Sequence, residues 1–130
     1  MGLPVLTILN TYSLSATASE FTTAITALAA RVLAEGDRGV LSYRFFINPD
    51  AATARAVIDY TGPSAWMGHH DLAMDWPEMK ALHKVAMLAD VTFLGPLTEE
   101  IGAYLARSGL KARIEAGYTF AAGFQRDMKA

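Results

Sequence analysis

Apolar residues along this chain follow two rhythms, one of period two and one near three and a half, and the rhythms take turns. From Val40 to Ile47, Leu41, Tyr43, Phe45 and Ile47 alternate with Val40, Ser42, Arg44 and Phe46. Side chains two apart share a strand face, so this run reads as a strand with one dry face and one wetter face. Asn48-Pro49-Asp50 stops it: Pro49 fixes φ and lacks a donor, and its polar neighbours bond to nearby backbone. A second run, Ala54 to Thr61, sets Val57 out of phase with Ile58 and Tyr60 and closes before Gly62-Pro63. Two strands joined by so short a turn pair as an antiparallel hairpin.

The elements around the hairpin follow from the same two periods. Pro4 to Tyr12 alternates as a first strand. Thr17-Ala-Ser-Glu20 is a capping-box sequence, Phe21, Ile25, Leu28 and Val32 recur at helical spacing, and Gly36 stands at the C-cap, which predicts a helix of about eighteen residues. After the hairpin, Pro63 to Met74 reads as a helix that Gly68 weakens by about 1 kcal/mol relative to alanine. Asp75-Trp-Pro-Glu78 starts another, with Met79, Leu82, Ala86 and Met87 as its apolar stripe. Val91 to Leu94 is a fourth strand, ended by Gly95-Pro96. Thr98 caps a short helix with Glu99 and Glu100 in its first turn, Gly109 ends it, and Leu110 to Ala116 alternates as a fifth strand that can extend to Phe120. The order strand, helix, two strands, helix pair, strand, helix, strand begins as βαββαβ, an α+β ferredoxin-like arrangement with a C-terminal helix-strand extension. Helices cover one face of such a sheet, and a second copy of the chain is the natural cover for the other.

Composition narrows the function classes. A length of 130 residues fits one domain over 1–130, and 52% hydrophobic content supplies a core. A net charge of −2 gives no basic field, so nucleic acid is not an expected partner. There is no cysteine, which fits a reducing, cytoplasmic setting. The apolar N-terminal run has no basic residue ahead of it and does not read as a secretory signal, and no apolar stretch nears the ~20 residues that cross a bilayer. Mean hydropathy is positive, which points to apolar surface buried between subunits.

Several residues carry candidate chemistry. Trp66, His69 and His70 share one stretch of helix, with Trp66 three and four residues before the imidazoles. They read either as a pocket wall, with an indole to stack on a planar substrate and a histidine to move a proton, or as a half-buried tryptophan beside surface histidines. Arg44, on the mixed strand face, could hold an anionic oxygen or be simply solvated. His83 borders the next apolar stripe. His69 and His70 are adjacent and diverge by about 100° on a helix, a poor arrangement for holding one metal ion. No phosphate loop, nucleophile elbow or metalloprotease helix is present.

Tyr43-Arg44, Asn48-Pro49-Asp50, the strand ending Val57-Ile-Asp-Tyr-Thr61, Ser64-Ala-Trp-Met-Gly-His-His70 and Pro77-Glu-Met-Lys-Ala-Leu82 together resemble the antibiotic biosynthesis monooxygenase family. The resemblance covers residues 4–97. Pro77-Glu78-Met79 replaces that family's Pro-His-Phe helix start, and Asp71 to Trp76 looks like a small insertion. It implies a dimeric α+β barrel and cofactor-independent oxygenation of a small planar aromatic or quinol-type ligand, with no cofactor. On that reading Trp66 stacks on the substrate, His70 is the base and Arg44 steadies an oxyanion. The haem-degrading branch of the same fold implies an alternative, with His83 as axial iron ligand and Asn10 and Trp66 beside it. A dimeric ligand-binding protein without catalysis is a third possibility, since this fold serves several chemistries.

Overall fold

The computed structural model describes residues 6–126. In chain order these form β1 (Leu6–Leu14), α1 (Ala18–Glu35), β2 (Val40–Asn48), β3 (Thr53–Tyr60), α2 (Pro63–Ala73), α3 (Pro77–Val85), β4 (Ala86–Leu94), α4 (Glu99–Ser108) and β5 (Arg113–Tyr118). The sheet runs β2-β3-β1-β4-β5. β1 is central and antiparallel to both neighbours, β2 is antiparallel to β3, and β5 joins β4 in parallel. Parallel pairing needs a crossover, and α4 supplies it. The first four strands have the ferredoxin-like order that the element sequence predicts. Pro4 and Val5 of the expected first strand lie outside the described residues.

α1 begins as its sequence dictates. The Thr17 hydroxyl accepts from the Glu20 amide at 3.1 Å, and the Glu20 carboxylate accepts from the Thr17 amide at 3.0 Å. Phe21, Ile25, Leu28 and Val32 are its buried residues. They join Leu6, Ile8 and Tyr12 of β1, Ile58 and Tyr60 of β3 and Phe93 of β4 in one core on the helix side of the sheet. Burying each large side chain there contributes roughly 1.5–3 kcal/mol.

Three boundaries differ from the sequence reading, each because pairing across the sheet outweighs local period. The register of β2 on β3 shifts between Val40 and Ser42, so Val40 packs against the core and Leu41, expected on the dry face, is 55% exposed. α3 stops at Val85. Ala86 and Met87, read as its last apolar positions, start β4 instead and pair with Leu14 and Ser13 of β1. β5 begins at Arg113 rather than Leu110, where its ladder with Asp90 starts.

A tight joint seats α2 against the turn before β2. The Asp37 carboxylate accepts from the Gly39 amide at 2.8 Å. A Cβ on Gly39 would collide with the Ala65 side chain, and one on Gly68 with that carboxylate. Gly39→Ala is therefore expected to lower stability by about 1–3 kcal/mol, since the Ala65 methyl can move only with α2 and the Asp37 carboxylate is already bonded to the Gly39 amide. Gly68→Ala should cost less, because alanine gains about 1 kcal/mol of helix propensity. Urea midpoints of the two variants check this; an unchanged midpoint for Gly39→Ala would mean that α2 sits farther out.

Candidate functional site

α2 starts with Pro63 in its first turn and no side-chain cap at Gly62. Its buried residues are Ala65, Trp66, His69 and Ala73. Trp66 and His69 are each 3% exposed. The His70 ring lies flat on Trp66, with centroids 3.8 Å apart and planes 25° from parallel. His70 Nδ1 is 2.8 Å from the Trp66 carbonyl. A carbonyl can only accept, so Nδ1 carries the proton and Nε2 is the free acceptor of a neutral ring. Tyr104 of α4 closes this side, edge-on to Trp66 at 5.4 Å and 5.7 Å from His70.

His69 turns the other way, toward the sheet. Its ring meets Tyr43 at 5.3 Å and Tyr60 at 6.1 Å, and its buried Nδ1 has no hydrogen-bond partner among the described residues. Burial lowers the His69 pKa to about 3, with the neighbouring His70 adding to the effect. Burial also lowers His70 to about 4, partly opposed by the Trp66 carbonyl and by Asp71. Both imidazoles are neutral at pH 7. Burial pushes the Tyr43 and Tyr60 hydroxyls well up, so both stay protonated.

A second buried polar spot lies further along the same sheet face. Asn10 is 8% exposed; its Nδ2 donates to the Tyr12 hydroxyl at 3.1 Å and its Oδ1 has no partner among the described residues. Turning the amide over would orphan the other atom instead. Tyr12, Phe45 and Tyr43 form a continuous aromatic row, 6.0 and 5.0 Å between centroids, that links this spot to His69. Tyr43 also lines a groove of about 580 Å³ between the end of α1 and the start of β2, together with Leu33, Asp37 and Val40. That volume is within the range of small-molecule sites.

The structure gathers some of the residues that the sequence singled out and separates others. Trp66, His69 and His70 come together, and the helix buries His69 although it could have been a surface residue. Arg44 does not join them. It pairs with Val57 while Tyr43 pairs with Ile58, so strand alternation puts Arg44 on the opposite sheet face, where its Nε donates to Ser42 at 3.1 Å. His83 is exposed, since α3 turns Met79 and Leu82 inward, and partial burial of its ring lowers its pKa. It is not among the rings that surround Trp66. Tyr104 was not singled out in the sequence. The one available signal was its position three residues after Ile101, on the inward face of α4. Among the described residues no three His, Asp or Glu side chains group to hold a metal ion, and no helix is long and apolar enough to cross a membrane.

No protein-family model matches the sequence, and no curated protein matches it. Solved structures do resemble it. MupZ from Pseudomonas fluorescens is 14% identical, with a TM-score of 0.62 over 93% of this chain and 93% of MupZ. SnoaB, described as a cofactor-independent oxygenase from Streptomyces nogalater, is 14% identical, with a TM-score of 0.55 over 72% of this chain and 93% of its own. A Caulobacter crescentus protein, provisionally named an antibiotic biosynthesis monooxygenase, is 19% identical, with a TM-score of 0.58 over 74% and 92%. At such identities the likeness establishes architecture: this chain has the ferredoxin-like α+β fold of the antibiotic biosynthesis monooxygenase-like proteins.

Proposed function

We propose that this protein is a cofactor-independent monooxygenase acting on a small planar aromatic or quinol-type substrate, and that it works as a homodimer. The observation that carries the reading is the fixed tautomer of His70: bonded through Nδ1 to the Trp66 carbonyl, it offers Nε2 as an unprotonated acceptor at neutral pH. The description of SnoaB as a cofactor-independent oxygenase supports it from outside the chain. His70 occupies the face of Trp66 on which a planar ring would stack.

The substrate that suits this site has a CH₂ group acidified by conjugation to a phenol or ketone. His70 Nε2 takes a proton, and the imidazolium then lies beside the carbanion it has made. That opposite charge restores the basicity that burial removes. The carbanion passes its electrons to dioxygen, and reprotonation gives a hydroperoxide at the same carbon. Loss of water leaves a carbonyl, so one oxygen atom enters product, one leaves as water, and the substrate itself supplies all four electrons that dioxygen takes up. Trp66 positions His70 throughout, and Arg44, on the far face, takes no part within one chain.

Oxygen uptake with anthrone as probe tests this. The protein should accelerate uptake, and His70→Ala should reduce the rate by roughly 10²–10⁴, the usual contribution of a general base, while the fold and dimer persist. Unchanged turnover in His70→Ala would remove His70 from the role. No acceleration by the unaltered protein would remove the oxygenase reading. Dimerisation is supported by the open sheet face, where Phe46 and Leu94 remain solvent-exposed while the buried core lies on the helix side.

A further inference from the structure

The indole of Trp66 is closed to a flat ring. It is 3% exposed, His70 lies on one of its faces, and the rings of Phe93 and Tyr104 meet it at 6.0 and 5.4 Å. The groove of about 580 Å³ is elsewhere, and neither Trp66, His70 nor Tyr104 lines it. Some element must therefore move before a planar molecule reaches the indole. α2 is seated, because Gly39 lies against its Ala65 and the Asp37 carboxylate against its Gly68. β4, which carries Phe93, is paired along β1. The remaining wall is α4, and it is lightly held. Ile101 is its buried residue, with Tyr104 and Leu105 half-buried beside it, whereas α1 buries Phe21, Ile25, Leu28 and Val32. Among the described residues, the hydrogen bonds of Glu99–Ser108 run only within the helix and to the flanking Thr98 and Leu110. Glycines of positive φ stand at its two ends, Gly95 at 129° and Gly109 at 70°, in backbone that other residues rarely take. Beyond them the sheet stays fixed, since β5 keeps its ladder on β4 and Arg113 bonds Asp90 at 2.7 Å.

We propose that α4 is a hinged cover of the Trp66–His70 site, with Tyr104 as its latch. The helix detaches to admit a planar ring and closes again over it. The purpose of this motion rests on the oxygenase reading above; the motion itself does not. A helix of ten residues is marginal alone in water, so α4 melts when it leaves the body and its amides become exchangeable. Covers of this kind come from the least stable parts of a fold, and their closure sheds water from the reacting groups. A carbanion waiting for dioxygen needs that exclusion, because water would return its proton.

Two ligand-free readouts test the cover: hydrogen exchange of the α4 amides, and labelling of His70 by diethyl pyrocarbonate, which acylates a neutral imidazole. His83, exposed on α3, and His69, turned toward the sheet, serve as internal controls. In the unaltered protein α4 should exchange through a local opening well before α1, and His70 should react more slowly than His83. A Cβ on Gly102, inside α4, meets nothing within 4 Å. Gly102→Ala strengthens the helix without touching the site, so it should slow both α4 exchange and His70 labelling about fivefold. Tyr104→Ala removes the latch and should speed both at least about tenfold, leaving His69 and His83 unchanged. α4 amides as protected as those of α1, or His70 as reactive as His83, would overturn the cover. So would a Gly102→Ala protein whose exchange slows while its His70 labelling does not, since the reagent would then enter by another route. A Tyr104→Ala protein that exposes His69 as much as His70 would overturn it too, since the whole fold would then have loosened. Failure to oxidise anthrone would remove the oxygenase reading and leave these measurements standing.

Discussion

Replacing Trp66 with alanine is expected to lower folding stability by about 3–5 kcal/mol, a large part of the margin of a domain this size. The indole is 3% exposed and packs on His70 of its own helix and on rings from two other elements, Phe93 of β4 at 6.0 Å and Tyr104 of α4 at 5.4 Å. Removing it deletes apolar burial and leaves a cavity that α2, held against β2 through the Gly39 and Gly68 joint, cannot easily collapse. Trp66→Phe should cost less, because a ring still fills part of the space. Urea unfolding at pH 7.5 measures both. A loss below about 1 kcal/mol for the alanine variant would show that the indole faces solvent, and would leave α4 without its anchor on the body of the fold.

Acid should weaken the protein as soon as pH falls below that at which a histidine in an unfolded chain takes up a proton. His69 is held near 3 and His70 near 4 by burial, against about 6.5 in an unfolded chain. Between those values the unfolded state binds protons that the folded state refuses, so stability is complete above about pH 6.5 and falls as pH drops toward the folded-state values. Each pH unit in that window costs about 1.4 kcal/mol per histidine, which amounts to about 4 kcal/mol for the pair at pH 5. Glu20 and Glu78, held down by the Thr17 cap and by Arg31, act in a lower window and leave this one readable. Urea midpoints compared at pH 7.5 and 5.0 should differ strongly in the parent. Replacing either histidine with phenylalanine should make the midpoint less pH-dependent, whatever it does to stability at pH 7.5. A parent midpoint that does not move between these pH values would mean that water reaches both rings.

The alternation of Tyr43, Phe45 and Ile47, the capping box at Thr17 and the stop at Asn48-Pro49-Asp50 were enough to set the elements, their order and the fold class. Each depends on neighbours within a few residues, whose side-chain periods and backbone preferences act before any long-range contact forms. The same locality misled where the sheet intervened. Ala86 and Met87 fit a helical stripe, but pairing with Leu14 and Ser13 drew them into β4. Leu41 fitted the dry face until a register shift put Val40 there. The site was legible only in part. Spacing on one helix was sufficient to bring Trp66 and His70 together, because residues four apart stack by helical geometry. Which face α2 would bury, that Tyr104 would cover it, and that Arg44 would turn to the opposite side of the sheet were decided by tertiary packing. Those are relations between elements far apart in the chain, and burial and register fix them only when all the strands are in place.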